Sequence, residues 1–143
     1  GEFAHGFTYS GHPVCAAVAL ETIRILQDEK IVENVRDNLA PYLNEQWLTL
    51  QDHPLVGEAR SLGMVGALEL VKDKKTRERF STTGATGALC RDFCVKNGIV
   101  MRAVGETMII SPPLVITRDE IDELVAKARK SLDGTAEALG IAV

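Results

Sequence analysis

From Ile31 to Leu50 the apolar residues recur three or four positions apart: Ile31, Val35, Leu39, Tyr42, Leu43, Trp47 and Leu50. That spacing lays one apolar stripe along an α-helix; a strand, whose side chains alternate with a period of two, cannot use it. Pro41 interrupts the stripe and either kinks the helix or splits it. Then the period changes. Gly57 to Leu62 and Met64 to Val71 read as two strands joined tightly around Gly63, and Gly66 within the second points to a bulge or a close backbone approach.

A further helix is expected from Thr86 to Asn97, stopped by Gly98. Two short strands follow, Ile99 to Ala103 and Thr107 to Ile110, around a Gly105-Glu106 turn, and Pro112-Pro113 ends the sheet. Thr117 and Glu120 form a capping box that opens a last helix with the stripe Ile121, Leu124, Val125, Ala128 and Leu132. Ahead of all this, Val14 to Leu20 is an unbroken apolar run, too long for a typical strand. It reads as the buried start of a helix from Pro13 to Glu29 whose charged end, Arg24 to Lys30, is solvated. The order predicts an α+β fold of two layers, helices packed on one face of a small, mainly antiparallel sheet.

Composition narrows the function classes. The 143 residues make one domain with enough material for a core, 45% hydrophobic and 25% charged. A formal net charge of −4 and a pI near 5.4 argue against nucleic acid as a partner. No apolar run approaches the roughly 20 residues of a membrane span. Cys15, Cys90 and Cys94 read as reduced, packed thiols of a cytosolic protein; without further ligands nearby, zinc is a poor reading. His5 and His12 stand on either side of a glycine loop with no third ligand, so no metal site is expected. His53 carries no functional reading. The charged run Lys72 to Arg79 reads as a solvated loop.

The densest local signal is Gly6-Phe7-Thr8-Tyr9-Ser10-Gly11-His12-Pro13. Two glycines bracket three consecutive hydroxyl side chains, and Pro13 suits the first turn of the helix that follows. A hydroxyl-rich loop at a helix N-terminus can hold an anion such as a phosphate, or can be an ordinary turn and cap. Arg102 poses a similar choice. It lies in an otherwise apolar strand just before a glycine turn, and reads either as a carboxylate anchor or as a strand arginine facing water.

The eight residues from Gly6 to Pro13, followed by a small-residue helix, resemble the matching segment of class III, pyridoxal-phosphate-dependent aminotransferases, the omega-transaminase group with its polyamine and omega-amino-acid members. Gly63-Met64-Val65-Gly66-Ala67-Leu68-Glu69 and the stretch from Arg102 through Gly105 to Ser111-Pro112-Pro113 resemble the same family in the right order. The resemblance implies the C-terminal part of such a transferase. Residues 1–30 would be a cofactor-phosphate loop and linking helix, and residues 31–143 the small C-terminal domain of a fold-type I enzyme. It implies that Thr8 binds the phosphate of pyridoxal 5'-phosphate across a homodimer interface, with Phe7 lining the shared pocket, and that Tyr9 and Ser10 stabilise the loop. It implies that Arg102 binds the carboxylate of an amino- or keto-acid substrate and swings aside for substrates that lack one.

On that reading the whole enzyme is cytoplasmic and moves an amino group from an amine or omega-amino acid to a keto acid such as pyruvate. The Schiff-base lysine and the acidic partner of the pyridine nitrogen would lie N-terminal to Thr8. The 143 residues alone would therefore hold no catalytic residue and be inactive. The alternative is a free-standing α+β ligand-binding or regulatory module without catalysis. An aminomutase or decarboxylase of the same superfamily would share these features.

Overall fold

A computed structural model describes every residue except Glu2 and Ala4. Its helices are α1 (Pro13–Asp28), α2 (Ile31–Asn34), α3 (Ala40–Leu48), α4 (Ala85–Lys96) and α5 (Arg118–Ala138). Its strands are β1 (Val56–Leu62), β2 (Val65–Leu70), β3 (Arg102–Val104) and β4 (Thr107–Ile110). The strands form one antiparallel sheet in the order β1-β2-β4-β3, built from two hairpins that turn on Gly63 (φ 58°) and Gly105 (φ 59°). Both turns need the left-handed region, which glycine enters without a side-chain penalty. Helices α3 and α4 pack on one face of the sheet, with α5 alongside both. The α+β, two-layer expectation therefore holds.

Pro41 does not split the second helical segment. A π-helical turn over Val35–Leu39 joins α2 to α3, and a 3-10 turn over Thr49–Asp52 continues beyond it. Proline has no N–H for the carbonyl of Asp37. The chain absorbs the mismatch by widening the turn: the Ala40 N–H reaches back to Val35 O instead of one residue nearer. The apolar stripe survives, burying Leu39, Leu43, Trp47 and Leu50.

Trp47 sits at the centre of this packing. It is fully buried, and its indole N–H donates to Ala67 O at 3.3 Å. A Cβ on Gly66 would lie 2.9 Å from Trp47 Nε1 and 2.9 Å from Ile110 Cγ1. The glycine thus admits a side chain rather than another backbone. The bulge lies elsewhere, between Val56 and Glu58, where the β1–β2 register shifts. Around Trp47 the core gathers Leu55, Leu68 and Leu70 from the first hairpin and its approach, Met108 and Ile110 from β4, and Ile121 and Leu132 from α5. Each fully buried leucine or isoleucine contributes about 1.5–3 kcal/mol relative to an exposed one.

The ends of α4 and α5 follow their local chemistry. Gly98 (φ 72°) closes α4, with the Ile99 N–H donating to Cys94 O at 3.0 Å and the Gly98 N–H to Val95 O at 3.1 Å. The expected strand from Ile99 starts only at Arg102; Ile99 and Met101 are buried but outside the ladder. At α5 the box is reciprocal. The Thr117 hydroxyl accepts from the Glu120 N–H at 3.3 Å, and the Thr117 N–H donates to Glu120 Oε2 at 2.8 Å.

Two expectations fail. No residue of α1 is buried: Val14, Val18 and Leu20 are exposed because, among the described residues, only the adjoining α2 packs on that helix, at its far end. Cys15, on α1, is exposed for the same reason, whereas Cys90 and Cys94 are buried against α5. The hydrogen bond to Cys94, together with burial, raises the Cys90 thiol above its ordinary range. His53 lies in the loop before β1, as expected, and is buried there. Its Nδ1 accepts the Leu55 N–H at 3.2 Å, which leaves the proton of the neutral ring on Nε2. That Nε2 lies 3.2 Å from Asp133 Oδ1 but is poorly aligned for a hydrogen bond. Among the described residues, no helix is long and apolar enough to cross a membrane, and no cluster could hold a metal ion.

Candidate cofactor and substrate site

The loop before α1 is a compact turn. The Phe7 N–H donates to Ser10 Oγ at 2.8 Å, the Ser10 N–H returns to Phe7 O at 2.9 Å, and the His12 N–H donates to Tyr9 O at 3.1 Å. Gly11 has φ 73°, and His12 caps α1 by accepting the Cys15 N–H at 3.5 Å. Ser10 thus stabilises the loop, as expected for it. Thr8 and Phe7 point elsewhere. Phe7 is 75% exposed, Thr8 is exposed, and neither the Thr8 hydroxyl nor the N–H groups of Thr8 and Tyr9 has a hydrogen-bond partner among the described residues. A hydroxyl and two backbone donors beside a helix N-terminus are a donor set that fits a phosphate.

Arg102 opens β3, the edge strand, opposite Ile109. Alternation along the strand turns Ala103 towards α4 and leaves Arg102 and Val104 on the open face of the sheet. Arg102 is exposed, and its guanidinium makes no hydrogen bond or ion pair with another described residue. Its five N–H donors are therefore available for a ligand. Nearby, a groove of about 500 Å³ borders the β3–β4 turn, between Arg77, Arg79, Glu58, Glu69 and Thr107. No hydrogen bond or ion pair among the described residues links the Phe7–Thr8 loop to Arg102, so this chain presents them on separate elements.

Sequence reading missed the residue that ties the Arg102 hairpin down. Glu106 Oε1 accepts the Gly84 N–H at 2.7 Å and its Oε2 accepts the Gly87 N–H at 2.6 Å, at the start of α4. A glutamate in a glycine turn looks like any solvated turn residue, and the helix it caps lies about 20 positions away in sequence (|i−j| 22 and 19). The lysines offer no hidden base. Lys30, Lys72, Lys75, Lys96 and Lys130 are exposed, Lys74 and Lys127 half-buried. Lys72 pairs with Glu78 at 2.5 Å and Lys127 with Glu123 at 2.5 Å.

The family model for class III aminotransferases ("Aminotransferase class-III") matches residues 1–132. The chain belongs to that family. Class III aminotransferases depend on pyridoxal phosphate. Among curated relatives, the chain is 68% identical over 139 residues to putrescine–pyruvate aminotransferase of Pseudomonas aeruginosa, covering 97% of this chain and 30% of that protein. It is 42% identical over 135 residues to the mitochondrial gamma aminobutyrate transaminase 1 of Solanum lycopersicum, covering 94% of this chain and 26% of that protein. Among solved structures, a transaminase with L-alanine superposes with a TM-score of 0.88 at 40% identity, covering 95% of this chain and 32% of that one. An omega transaminase from Pseudomonas jessenii in complex with PMP gives 0.87 at 35% identity, over 96% and 30%. The aminotransferase fold of type I is thus the fold of this chain, which spans about 30% of the length of the relatives it matches. These matches favour an aminotransferase over a free-standing module, an aminomutase or a decarboxylase.

Proposed function

We propose that this chain is the C-terminal segment of a transaminase that moves an amino group from putrescine, or a related omega-amino substrate, to pyruvate. The observation that carries the reading is Arg102, an unpartnered guanidinium on an exposed sheet face, in a chain so similar to a putrescine–pyruvate enzyme. Pyridoxal phosphate, when bound, supplies the electron sink that lets an amino group leave one substrate and join another. The chain's own residues bind and orient. Thr8, with the loop N–H groups, holds the phosphate, and Phe7 walls the pocket. Arg102 meets the carboxylate of the keto acid through two parallel N–H···O bonds and stands aside for a diamine, which has no carboxylate.

Residues 1–30 serve as phosphate loop and linking helix, and residues 31–143 as the small domain. The exposed apolar side chains of α1, with Phe7, support a homodimer in which Thr8 reaches the partner's site. Cysteines left as free thiols support a cytoplasmic enzyme. The lysine that carries the cofactor belongs to the rest of the enzyme, since every lysine here lies on a charged loop or a solvated helix surface. The 143-residue chain alone transfers nothing. The test is to give the whole enzyme putrescine and pyruvate and follow alanine formation. Alanine appearing only with both substrates supports the reading. A cofactor-loaded enzyme that transfers no amino group from any diamine or omega-amino acid would overturn it.

A further inference from the structure

We propose that Glu106 is a positioning residue for Arg102, clamping the β3–β4 hairpin onto the start of α4 so that the guanidinium is presented from a fixed backbone; this rests on the reading of Arg102 as the carboxylate anchor. β3 is a short edge strand held by three pairs, Arg102 with Ile109, Ala103 with Met108 and Val104 with Thr107. Such an edge frays readily, and an anchor that must be ordered at each binding event binds more weakly.

The clamp removes that freedom from both sides of the turn. Both oxygens of Glu106 accept N–H groups, from Gly84 at 2.7 Å and from Gly87 at 2.6 Å. These amides belong to the N-cap and the first turn of a helix, whose N–H groups lack internal partners and favour negative charge. The Glu106 carbonyl accepts the Leu70 N–H at 3.0 Å, which pins the same turn to β2. Gly87 completes the fit: a Cβ there would lie 2.0 Å from Gly105 O and 3.5 Å from the Cβ of Ala103, the neighbour of Arg102. The helix end is therefore seated directly on the turn. The backbone beneath Arg102 is fixed while its side chain has no partner, which suits an anchor that engages one substrate and releases for the other.

The test uses Glu106→Gln in the whole enzyme. A glutamine keeps one acceptor but turns an NH2 towards the second N–H, so it loses half the clamp without losing bulk. The KM for pyruvate should rise roughly tenfold, while kcat/KM for the amine half-reaction stays within about twofold. Hydrogen exchange at Gly84 and Gly87 should quicken in the same variant. Gly87→Ala, which pushes the turn away from the other side, should give the same split. Tyr42→Phe removes a 2.7 Å bond to Asp122 between α3 and α5, away from the hairpin and its groove, and should give no split. If Glu106→Gln speeds exchange yet moves both substrates alike, or neither, the residue is only structural and the proposal fails. If Arg102→Ala is selective against pyruvate and Glu106→Gln is not, the proposal fails and the reading of Arg102 stands. If Arg102→Ala spares pyruvate, both fall.

Discussion

Gly66→Ala is the sharpest test of how the sheet meets the helices. The added Cβ would lie 2.9 Å from Trp47 Nε1, 3.0 Å from Trp47 Cε2 and 2.9 Å from Ile110 Cγ1. Neither neighbour has room to retreat, since Trp47 is 0% and Ile110 2% exposed. Forcing a methyl into a packed core costs about 1–3 kcal/mol. Displacing the indole also weakens its bond to Ala67 O, worth about 0.5–1.5 kcal/mol net. Against this, replacing glycine in an extended strand returns about 0.4–1 kcal/mol through the unfolded chain. The balance is a loss of about 2 kcal/mol, which for a chain of this size lowers Tm by roughly 4–8 °C. Urea unfolding followed by fluorescence reads the site directly, because Trp47 is the single tryptophan. A variant within about 0.5 kcal/mol of the parent, with unchanged native emission, would refute the packing argument.

Two further predictions concern the loop and the buried histidine. Thr8→Ala should weaken cofactor binding by the whole enzyme about tenfold or more, the worth of one hydrogen bond to a charged group, with substrate preference unchanged. Equilibrium dialysis measures it, and an unaltered affinity would remove Thr8 from the phosphate site. Burial holds the His53 imidazole below the ordinary histidine range, outweighing the opposing pull of Asp133, while Arg129 lowers it further and Asp52 raises it. A base with a depressed folded pKa contributes its stability above the unfolded value. The urea midpoint should therefore fall as pH drops below about 6.5, and level off once the lowered folded value is passed. The carboxylate of Asp52, held low by Arg129, begins to matter only in more acid solution. A midpoint that is flat from pH 7.5 to 5.5 would contradict the burial of His53 as a neutral ring.

Much of this architecture could be read from local chemistry. Periodicity located the Trp47 stripe, Gly63 and Gly105 marked the two hairpins, and Thr117 with Glu120 fixed the start of α5. These signals are short-range, so a sequence displays them directly. The failures were of another kind. Val14 to Leu20 predicted a buried helix, but burial depends on a partner surface that the described residues do not supply. Pro41 announced an interruption, and only the carbonyl geometry explains why a π turn absorbs it. His53 and Glu106 acquired their roles from residues about 20 to 80 positions away in sequence (|i−j| 22 for the Glu106–Gly84 bond and 77 for Arg129–Asp52 beside His53), which no spacing rule can anticipate. Arg102 and Thr8 were picked out by resemblance, and the fold adds that both are exposed, with the Arg102 guanidinium and the Thr8 hydroxyl unpaired among the described residues.

The measurement that bears most directly on the central claim is a comparison of the two half-reactions in Arg102→Ala. The whole variant enzyme would be mixed rapidly with putrescine in its pyridoxal-phosphate form and, in a separate run, with pyruvate after it has been loaded with the amino group and freed of amine, and the cofactor absorbance followed. Loss of a bidentate ion pair with a carboxylate should slow the pyruvate half-reaction at sub-saturating substrate by roughly tenfold to a hundredfold. The putrescine half-reaction, whose substrate has no carboxylate, should keep its rate within about twofold. Equal losses in both halves would mean that Arg102 holds the fold rather than the acid, and the proposed division of labour between Thr8 and Arg102 would be wrong.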